Sequence, residues 1–255
     1  MKISILTLFP KMISAFLQES ILKRAIQKKI VEIEVVDLRT FAIDEYGTVD
    51  DRPYGGGAGM VMRVDVLAKA IDQVKCQMSN VKKSFQKILL TSPKGKQYNQ
   101  KKALELSKLE HLVIVCGHYE GVDERVLKFV DEEVSLGDFV MTGGEVPAVA
   151  ICDSVIRLLP GVLKKESATE EESFFEVSLS EIISCVGETE VLKKLKNKNV
   201  EKVKLLEYPH YTRPERFENM TVPVVLLSGN HKDIINWRLD QAYKETIIKR
   251  PDLLE

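Results

Sequence analysis

Cysteine is scarce: four in 255 residues, at 76, 116, 152 and 185, with no Cys-x-x-Cys pair and no Cys/His metal spacing. That argues against a disulfide scaffold and fits a reducing cytoplasm. No apolar run approaches the length of a membrane span, so no membrane role is expected. The opening Met1–Phe9 is apolar, with one lysine and no cleavage-site pattern. It reads as a first strand and not as a signal peptide. Net charge is −1, so no global excess of one sign advertises nucleic acid. The glycine-rich stretch at 135–147 has neither the Lys-Ser/Thr of a P-loop nor a G-x-G-x-x-G turn. The chain also has no internal repeat and no low-complexity tract. What remains is an ordinary globular composition, long enough for one large domain or one domain with an appendage.

Glycine, by contrast, is concentrated where strands should end. Asp131–Ser135 reads as a strand that runs into Leu136-Gly137-Asp138-Phe139-Val140-Met141-Thr142-Gly143-Gly144, and a helix follows with Glu145 and Pro147 in its first turn. An acid there suits the helix dipole, and a missing N–H costs nothing. Glycines in such a loop let a flat ligand lie on bare backbone, because they add no Cβ. Two further apolar runs behave alike. Gln86–Leu90 empties into Thr91-Ser92-Pro93-Lys94-Gly95, and His111–Val115 into Cys116-Gly117-His118-Tyr119-Glu120-Gly121. Ligands of open α/β sheets sit outside the carboxyl ends of strands, so three such loops point to one shared pocket. Cys116 lies near it, and a buried small hydrophobe is the expected role for that thiol.

The periodicity predicts a buried strand over Lys2–Phe9, one helix over Lys11–Lys28 and a half-exposed strand over Val31–Leu38. Asp65 is a plausible N-cap for a helix to about Lys75. Strand, helix, strand, short helix and strand follow, and then a helix from Glu145 to Leu159 that Pro160-Gly161 stops. Alternating β and α predicts an α/β fold with a largely parallel sheet. After Val162 the composition changes. Lys164–Ser173 is charged and small and reads as a linker. Short helices are expected around Leu179-Ile182-Ile183 and Val191-Leu192-Leu195, and Tyr208–Glu255 is compact again.

Several stretches carry candidate chemistry. Asp50-Asp51-Arg52-Pro53-Tyr54-Gly55-Gly56-Gly57-Ala58-Gly59-Met60 combines acids, an arginine and an aromatic with glycines, which suits a stacked, unpaired base as well as an empty Ω-loop. Glu170-Glu171-Glu172 offers carboxylates on a linker, where one can act as a general base. Arg157, near the end of the Glu145–Leu159 helix, can cap carbonyls, pair with acids or stabilise an oxyanion. Pro209-His210-Tyr211-Thr212-Arg213-Pro214 fits an RNA-contacting loop or a turn that opens a second domain. Lysines crowd Lys193–Arg216, and taken alone such a cluster is expected to be a solvated face.

Two of these stretches are long and specific: Gly-Asp-x-Val-x-Thr-Gly-Gly-Glu-x-Pro at 137–147 and Pro-His-Tyr-Thr-Arg-Pro at 209–214. Together with Phe9-Pro10, Asp51–Met60, Ser92-Pro93, Cys116–Arg125, Leu159–Val162, Trp237-Arg238 and Arg250-Pro251, they resemble the TrmD family. These are the bacterial tRNA (guanine-N1)-methyltransferases of the SPOUT superfamily. The resemblance implies a SPOUT-type parallel sheet with a C-terminal trefoil knot over 1–163, a flexible linker over 164–207 and a small helical tRNA-binding domain over 208–255. It implies methyl transfer from S-adenosyl-L-methionine to N1 of guanosine 37 in tRNA, by a homodimer whose sites use both subunits. No other protein partner is evident. Magnesium is implied by the family alone.

Carried over residue by residue, Ser92, Pro93, Gly117, Tyr119, Glu120, Leu136, Gly137, Asp138, Phe139, Val140, Met141, Gly143, Gly144 and Pro147 line the cofactor site. Asp50, Arg52, Tyr54, Ser173, Tyr211 and Arg213 belong to substrate recognition. Arg157 takes the place of the catalytic arginine, and Glu172 that of the general base. This chain departs from the family at three places. Glu172 replaces an aspartate, Ala58 stands where proline is common, and Phe175–Lys204 contains an insertion. Two alternatives use the same features: a SPOUT enzyme for another RNA base or ribose, and a non-catalytic RNA-binding relative. The Pro-His-Tyr-Thr-Arg-Pro motif argues against the first. The intact glycine loops, Arg157 and Glu172 argue against the second.

Overall fold

The structure, a computed structural model, describes residues 1–77, 82–164 and 172–254. Glu170 and Glu171 lie outside them, as do the other linker residues from 165 to 169. The chain divides into two compact units, Met1–Lys164 and Lys165–Glu255.

The first unit opens with β1 (Lys2–Thr7), whose Ile3, Ile5 and Leu6 are fully buried. A strand covered on both faces has to be apolar throughout, and this one is. Next come α1 (Pro10–Leu17), with Pro10 at its first turn, and α2 (Ser20–Gln27). The single helix expected over Lys11–Lys28 is therefore two. The chain breaks at Gln18–Glu19, and Ser20 adopts φ +54°. The apolar stripe hides this break, because both halves lay Ile13, Leu17, Leu22 and Ala25 on the same core.

The edge strand β2 (Glu32–Asp37) leads to a small hairpin, β3 (Asp50–Asp51) with β4 (Val61–Met62), and then to α3 (Val64–Gln77). Asp65 is not the N-cap of α3; it sits inside the first turn, where it pairs with Arg63 at 2.8 Å. β5 (Gln86–Gln97), α4 (Gln100–Leu106), β6 (His111–Cys116), β7 (Glu132–Ser135) and α5 (Glu145–Ile156) complete the unit. The predicted loop Thr91–Gly95 continues β5, but as an irregularity. Pairing with β7 shifts register between Thr91 and Lys96, and a shift of this kind admits Pro93 within a strand.

β1, β2, β5, β6 and β7 form one sheet in the order β2-β1-β6-β5-β7, and every pairing is parallel. One face packs α1, α2, α4 and α5 residues, including Leu106, Ile151 and Val155. The other packs α3 through Leu67, Ile71 and Val74. The expected α/β sandwich is present, and the carboxyl ends of β5, β6 and β7 lie side by side.

The second unit contains β8 (Phe175–Ser178), α6 (Leu179–Val186), α7 (Glu190–Asn197), β9 (Lys202–Leu205), the hairpin β10 (Arg216–Phe217) with β11 (Met220–Thr221), α8 (Val224–Leu227) and α9 (His231–Lys249). β8 pairs antiparallel with β9, so the ends of the expected insertion are stitched together. Ser178 caps α6 by accepting from Glu181 N. Thr189 caps α7 and meets the Tyr243 hydroxyl at 2.5 Å. Val177, Ile182, Leu192, Leu195 and Leu205 share a core with Ala242 and Tyr243 of α9. From Phe175 on, the predicted linker is thus a folded part of the second unit. Its short helices each bury an i, i+3 apolar pair in this shared core, a contact that a local reading does not contain.

Candidate active site

The carboxyl ends of β5, β6 and β7 open on a cavity of about 310 Å³. Its walls are Ser92-Pro93, the loop Gly117–Gly121, and Leu136, Phe139–Gly144 and Pro147. Of the fourteen residues carried over as cofactor-binding, all but Gly137 and Asp138 line it. Gly137 is buried beneath the loop and Asp138 points to solvent.

The three loops interlock. Gly144 N–H donates to Gly117 O at 2.7 Å, Gly117 N–H donates to Thr91 Oγ1 at 3.2 Å, and Thr91 Oγ1 donates to Val115 O at 3.2 Å. Gly144 has an ordinary helical backbone, φ −83° and ψ −2°. Space, not backbone freedom, therefore demands glycine there. A Cβ would collide with Thr91 Oγ1 and stand 2.7 Å from Gly117 N and 2.9 Å from Cys116 Cα. The expectation that glycine clears room for a ligand is corrected at this position, since the room is taken by the neighbouring loops. At Gly137 a Cβ would meet the ring of Phe139 at 2.9 Å, and that ring is exposed.

Tyr119 lines the cavity with φ +59°. A bulky residue held in the left-handed region marks a constrained loop. Sequence reading also missed His118 and Thr7. Glu145, read only as a first-turn acid, is buried and bonded to Thr7 Oγ1 at 2.8 Å. A lone glutamate in an apolar, small-residue helix start was the one available signal.

Cys116 is fully buried, and burial, with the charge of Glu145, pushes its thiol well above the ordinary range. Cys152 is buried too and pushed up to about 12. Only the thiolate is nucleophilic. Alkylation of the native protein at pH 8 should therefore modify exposed Cys76 and spare Cys116 and Cys152. Peptide mass mapping checks this; rapid labelling of Cys116 would contradict its burial.

The Asp50–Met60 stretch abuts this cavity. Glu120 N–H donates to Met60 O at 3.0 Å and Met62 N–H to Gly121 O at 3.0 Å. Asp50 lies in β3, Arg52 follows it, and the Tyr54 ring stands fully exposed on the glycine turn. Arg157 caps the C-terminus of α5 and is half-buried. These all belong to the first unit. Glu172, Ser173, Tyr211 and Arg213 belong to the second. Glu172 is half-buried, and Ser173 Oγ accepts from Glu207 N at 3.1 Å. Tyr211 and Arg213 line an open cleft of about 880 Å³ together with Val222 and Leu227. The Tyr211 ring lies 6.2 Å from that of Trp237.

Comparison with known proteins decides among the classes. The family model described as tRNA (Guanine-1)-methyltransferase TrmD matches residues 1–255. The chain belongs to this family. A Carboxydothermus hydrogenoformans protein named tRNA (guanine-N(1)-)-methyltransferase is 46% identical over 256 residues, covering 100% of this chain and 88% of its own. Relatives of the same name from Dictyoglomus turgidum (46%, 100% of this chain, 90% of the relative) and Endomicrobium trichonymphae (42%, 100% of both) are similar throughout. The TrmD match takes in Phe175–Lys204, so the folded segment there lies inside the family's span. The family is one of tRNA (guanine-N1)-methyltransferases. Among the described residues no helix is long and apolar enough to cross a membrane.

Proposed function

We propose that this protein transfers the methyl group of S-adenosyl-L-methionine to N1 of guanosine 37 in tRNA, as a homodimer in the cytoplasm. The observation that carries the reading is the position of the cavity. It lies between three interlocked strand-end loops and beside the exposed Tyr54 turn, in a chain that matches the TrmD family end to end.

The cavity fits the cofactor in size and character, at the lower end of small-ligand pockets. Leu136, Val140, Met141 and Pro147 offer apolar wall, and Gly117, Gly143 and Gly144 line the cavity where the loops pack on one another. When bound, the cofactor supplies an electrophilic methyl group. The protein's part is to hold the acceptor and manage its proton. Guanine N1 carries a proton near neutral pH and is a poor nucleophile until it leaves. Glu172 takes that proton as general base, and Arg157 stabilises the charge that builds on O6. Asp50, Arg52 and Tyr54 hold the unpaired base beside the cavity, and Ser173, Tyr211 and Arg213 bind tRNA. The first unit carries the SPOUT trefoil knot, a reading supported by the packing of loop 136–144 against loop 117–121. Among the described residues no three His, Cys, Asp or Glu side chains gather around a metal position, so they offer magnesium no preformed cage.

Nucleoside mass analysis after incubation with tRNA and labelled cofactor tests the function. The expected product is 1-methylguanosine at position 37. Methyl on another base or on ribose would favour the other SPOUT reading. tRNA binding without incorporation would favour the non-catalytic one.

Homodimer formation is supported by Val140 and Val146, apolar side chains left exposed beside the cavity. Sedimentation should show a dimer at assay concentration, and an active monomer would sink the shared-site arrangement.

The α7–β9 segment supports RNA as the partner. Lys194, Lys198 and Lys202 are exposed and form no ion pair among the described residues, whereas Lys193 and Lys196 pair with Glu190 and Glu188. Reversing Lys194 and Lys198 to glutamate should raise KM for tRNA about tenfold and lower the salt slope by about one per lysine, with cofactor affinity unchanged. An unaltered salt slope would remove these lysines from the RNA contact.

A further inference from the structure

Glu145 is 2% exposed at the start of α5. A carboxylate so placed must have its lone pairs satisfied, because a buried, unpaired charge costs several kcal/mol. The N-terminal dipole of α5 offsets only part of that, about 2 kcal/mol at most. One partner is Thr7, at the end of β1, whose hydroxyl donates to Glu145 Oε1 at 2.8 Å. The other oxygen, Oε2, lies 3.6 Å from His118 Nδ1. That nitrogen is buried and has no hydrogen-bond partner among the described residues. It faces that carboxylate oxygen across the 3.6 Å gap.

The surroundings keep this pair together. The His118 ring lies 4.9 Å from that of Phe9 and 4.8 Å from that of Tyr119. The His118 backbone bridges to Gly143. A Cβ on Gly143 would fall between the two groups, 2.5 Å from Glu145 Oε2 and against His118 Nδ1. Glycine at 143 therefore leaves open the corridor from acid to imidazole. His118 itself lines the cavity, in the loop that also carries Tyr119 and Glu120. Cys116 also lies near Glu145, and burial holds its thiol well above the ordinary range, in the protonated form.

We propose that Glu145 is a positioning residue for the cofactor pocket. Acting through His118, it holds the Gly117–Gly121 wall against the Gly143-Gly144 turn. His118 donates Nδ1–H to Oε2, so one carboxylate ties the end of β1, the loop after β6 and the start of α5 into a single cofactor cradle. The inference rests on the cavity being the S-adenosyl-L-methionine site. It assigns Glu145 no contact with the methyl group or with tRNA, so the dependence falls on cofactor binding and not on the chemical step.

Calorimetric titration with S-adenosyl-homocysteine tests it on the full-length wild type, Glu145→Gln, His118→Gln and the double variant. Glu145→Gln keeps shape but presents an uncharged amide to the imidazole. Each single variant should raise Kd about tenfold, and the double should be no weaker than the worse single, because both remove one contact. In steady-state methylation the loss should appear in KM for the cofactor and not in kcat, a split that a general folding defect would not produce. If Glu145→Gln fails to fold, His118→Gln carries the test alone, since its side chain is at the cavity wall. Wild-type Kd in the single variants, a double whose effect is the product of the two, or a loss confined to kcat would each overturn the assignment. A wild type that binds no S-adenosyl-homocysteine would instead overturn the reading of the cavity, and this role with it.

Discussion

Glu172→Gln is expected to lower the single-turnover methylation rate by about 10²–10⁴-fold, the usual contribution of a general base. That is about 3–5 kcal/mol in activation free energy. An amide has no lone pair basic enough to take the N1 proton, while its shape and hydrogen-bonding reach are nearly unchanged. Cofactor affinity should hardly move, because the cavity lies wholly within the first unit and Glu172 belongs to the second. Glu172→Asp should stay within about tenfold of wild type, since it retains the carboxylate that general-base chemistry needs. Arg157→Ala should lose about 10²–10³-fold in rate through lost stabilisation at O6. Rapid-quench measurements on the separate Glu→Gln variants at 170, 171 and 172 decide the assignment. If the 172 variant turns over normally and one of its neighbours is dead, the base lies one or two residues earlier in the chain.

Gly144→Val has the largest expected effect on the cofactor site, and its cause lies in the protein's own packing. The added side chain collides with Thr91 Oγ1 and crowds Gly117 N, so the hydrogen bond between Gly144 and Gly117 cannot keep its 2.7 Å length. Two cavity walls then separate. Calorimetry should show cofactor affinity weakened beyond about 100-fold. Overpacking of this kind costs about 1–3 kcal/mol, so Tm should fall by several degrees as well. Gly137→Val differs, because its Cβ crowds the exposed Phe139 ring and otherwise meets only Gln97 Nε2, at 4.0 Å. It should weaken binding less and leave Tm nearly unchanged. Equal affinity in a folded Gly144→Val protein would refute the interlocked-loop account of the cavity.

Much of the architecture was legible from local pattern. Gln86–Leu90, His111–Val115 and Asp131–Ser135 read as strands because their apolar runs are short and end in Gly/Pro-bearing turns. β5, β6 and β7 begin within a residue of those positions. Helix starts and stops were less legible. The apolar stripe of Lys11–Lys28 is satisfied equally by one helix or by two on the same face, so nothing in its spacing reveals the break before Ser20. Asp65 looked like a cap because caps and first-turn acids share residue types. The short helices expected around Leu179-Ile182-Ile183 and Val191-Leu192-Leu195 are present as α6 and α7, but their spacing does not say what they pack on. Their Ile182, Leu192 and Leu195 share one core with Ala242 and Tyr243 of α9.

By itself the sequence determined the α/β class, the three glycine-bearing loops at strand ends and membership in the TrmD family. Each of these is written in residues adjacent in the chain, where period, turn chemistry and motif spacing act directly. The tertiary structure alone decided that Gly144 is a point of contact between loops, and that Glu145 is buried against Thr7 and His118. The Thr7–Glu145 bond joins residues 138 apart. No local pattern encodes such a partner, because it exists only once β1, β6 and α5 have packed and excluded the water that would otherwise solvate the carboxylate.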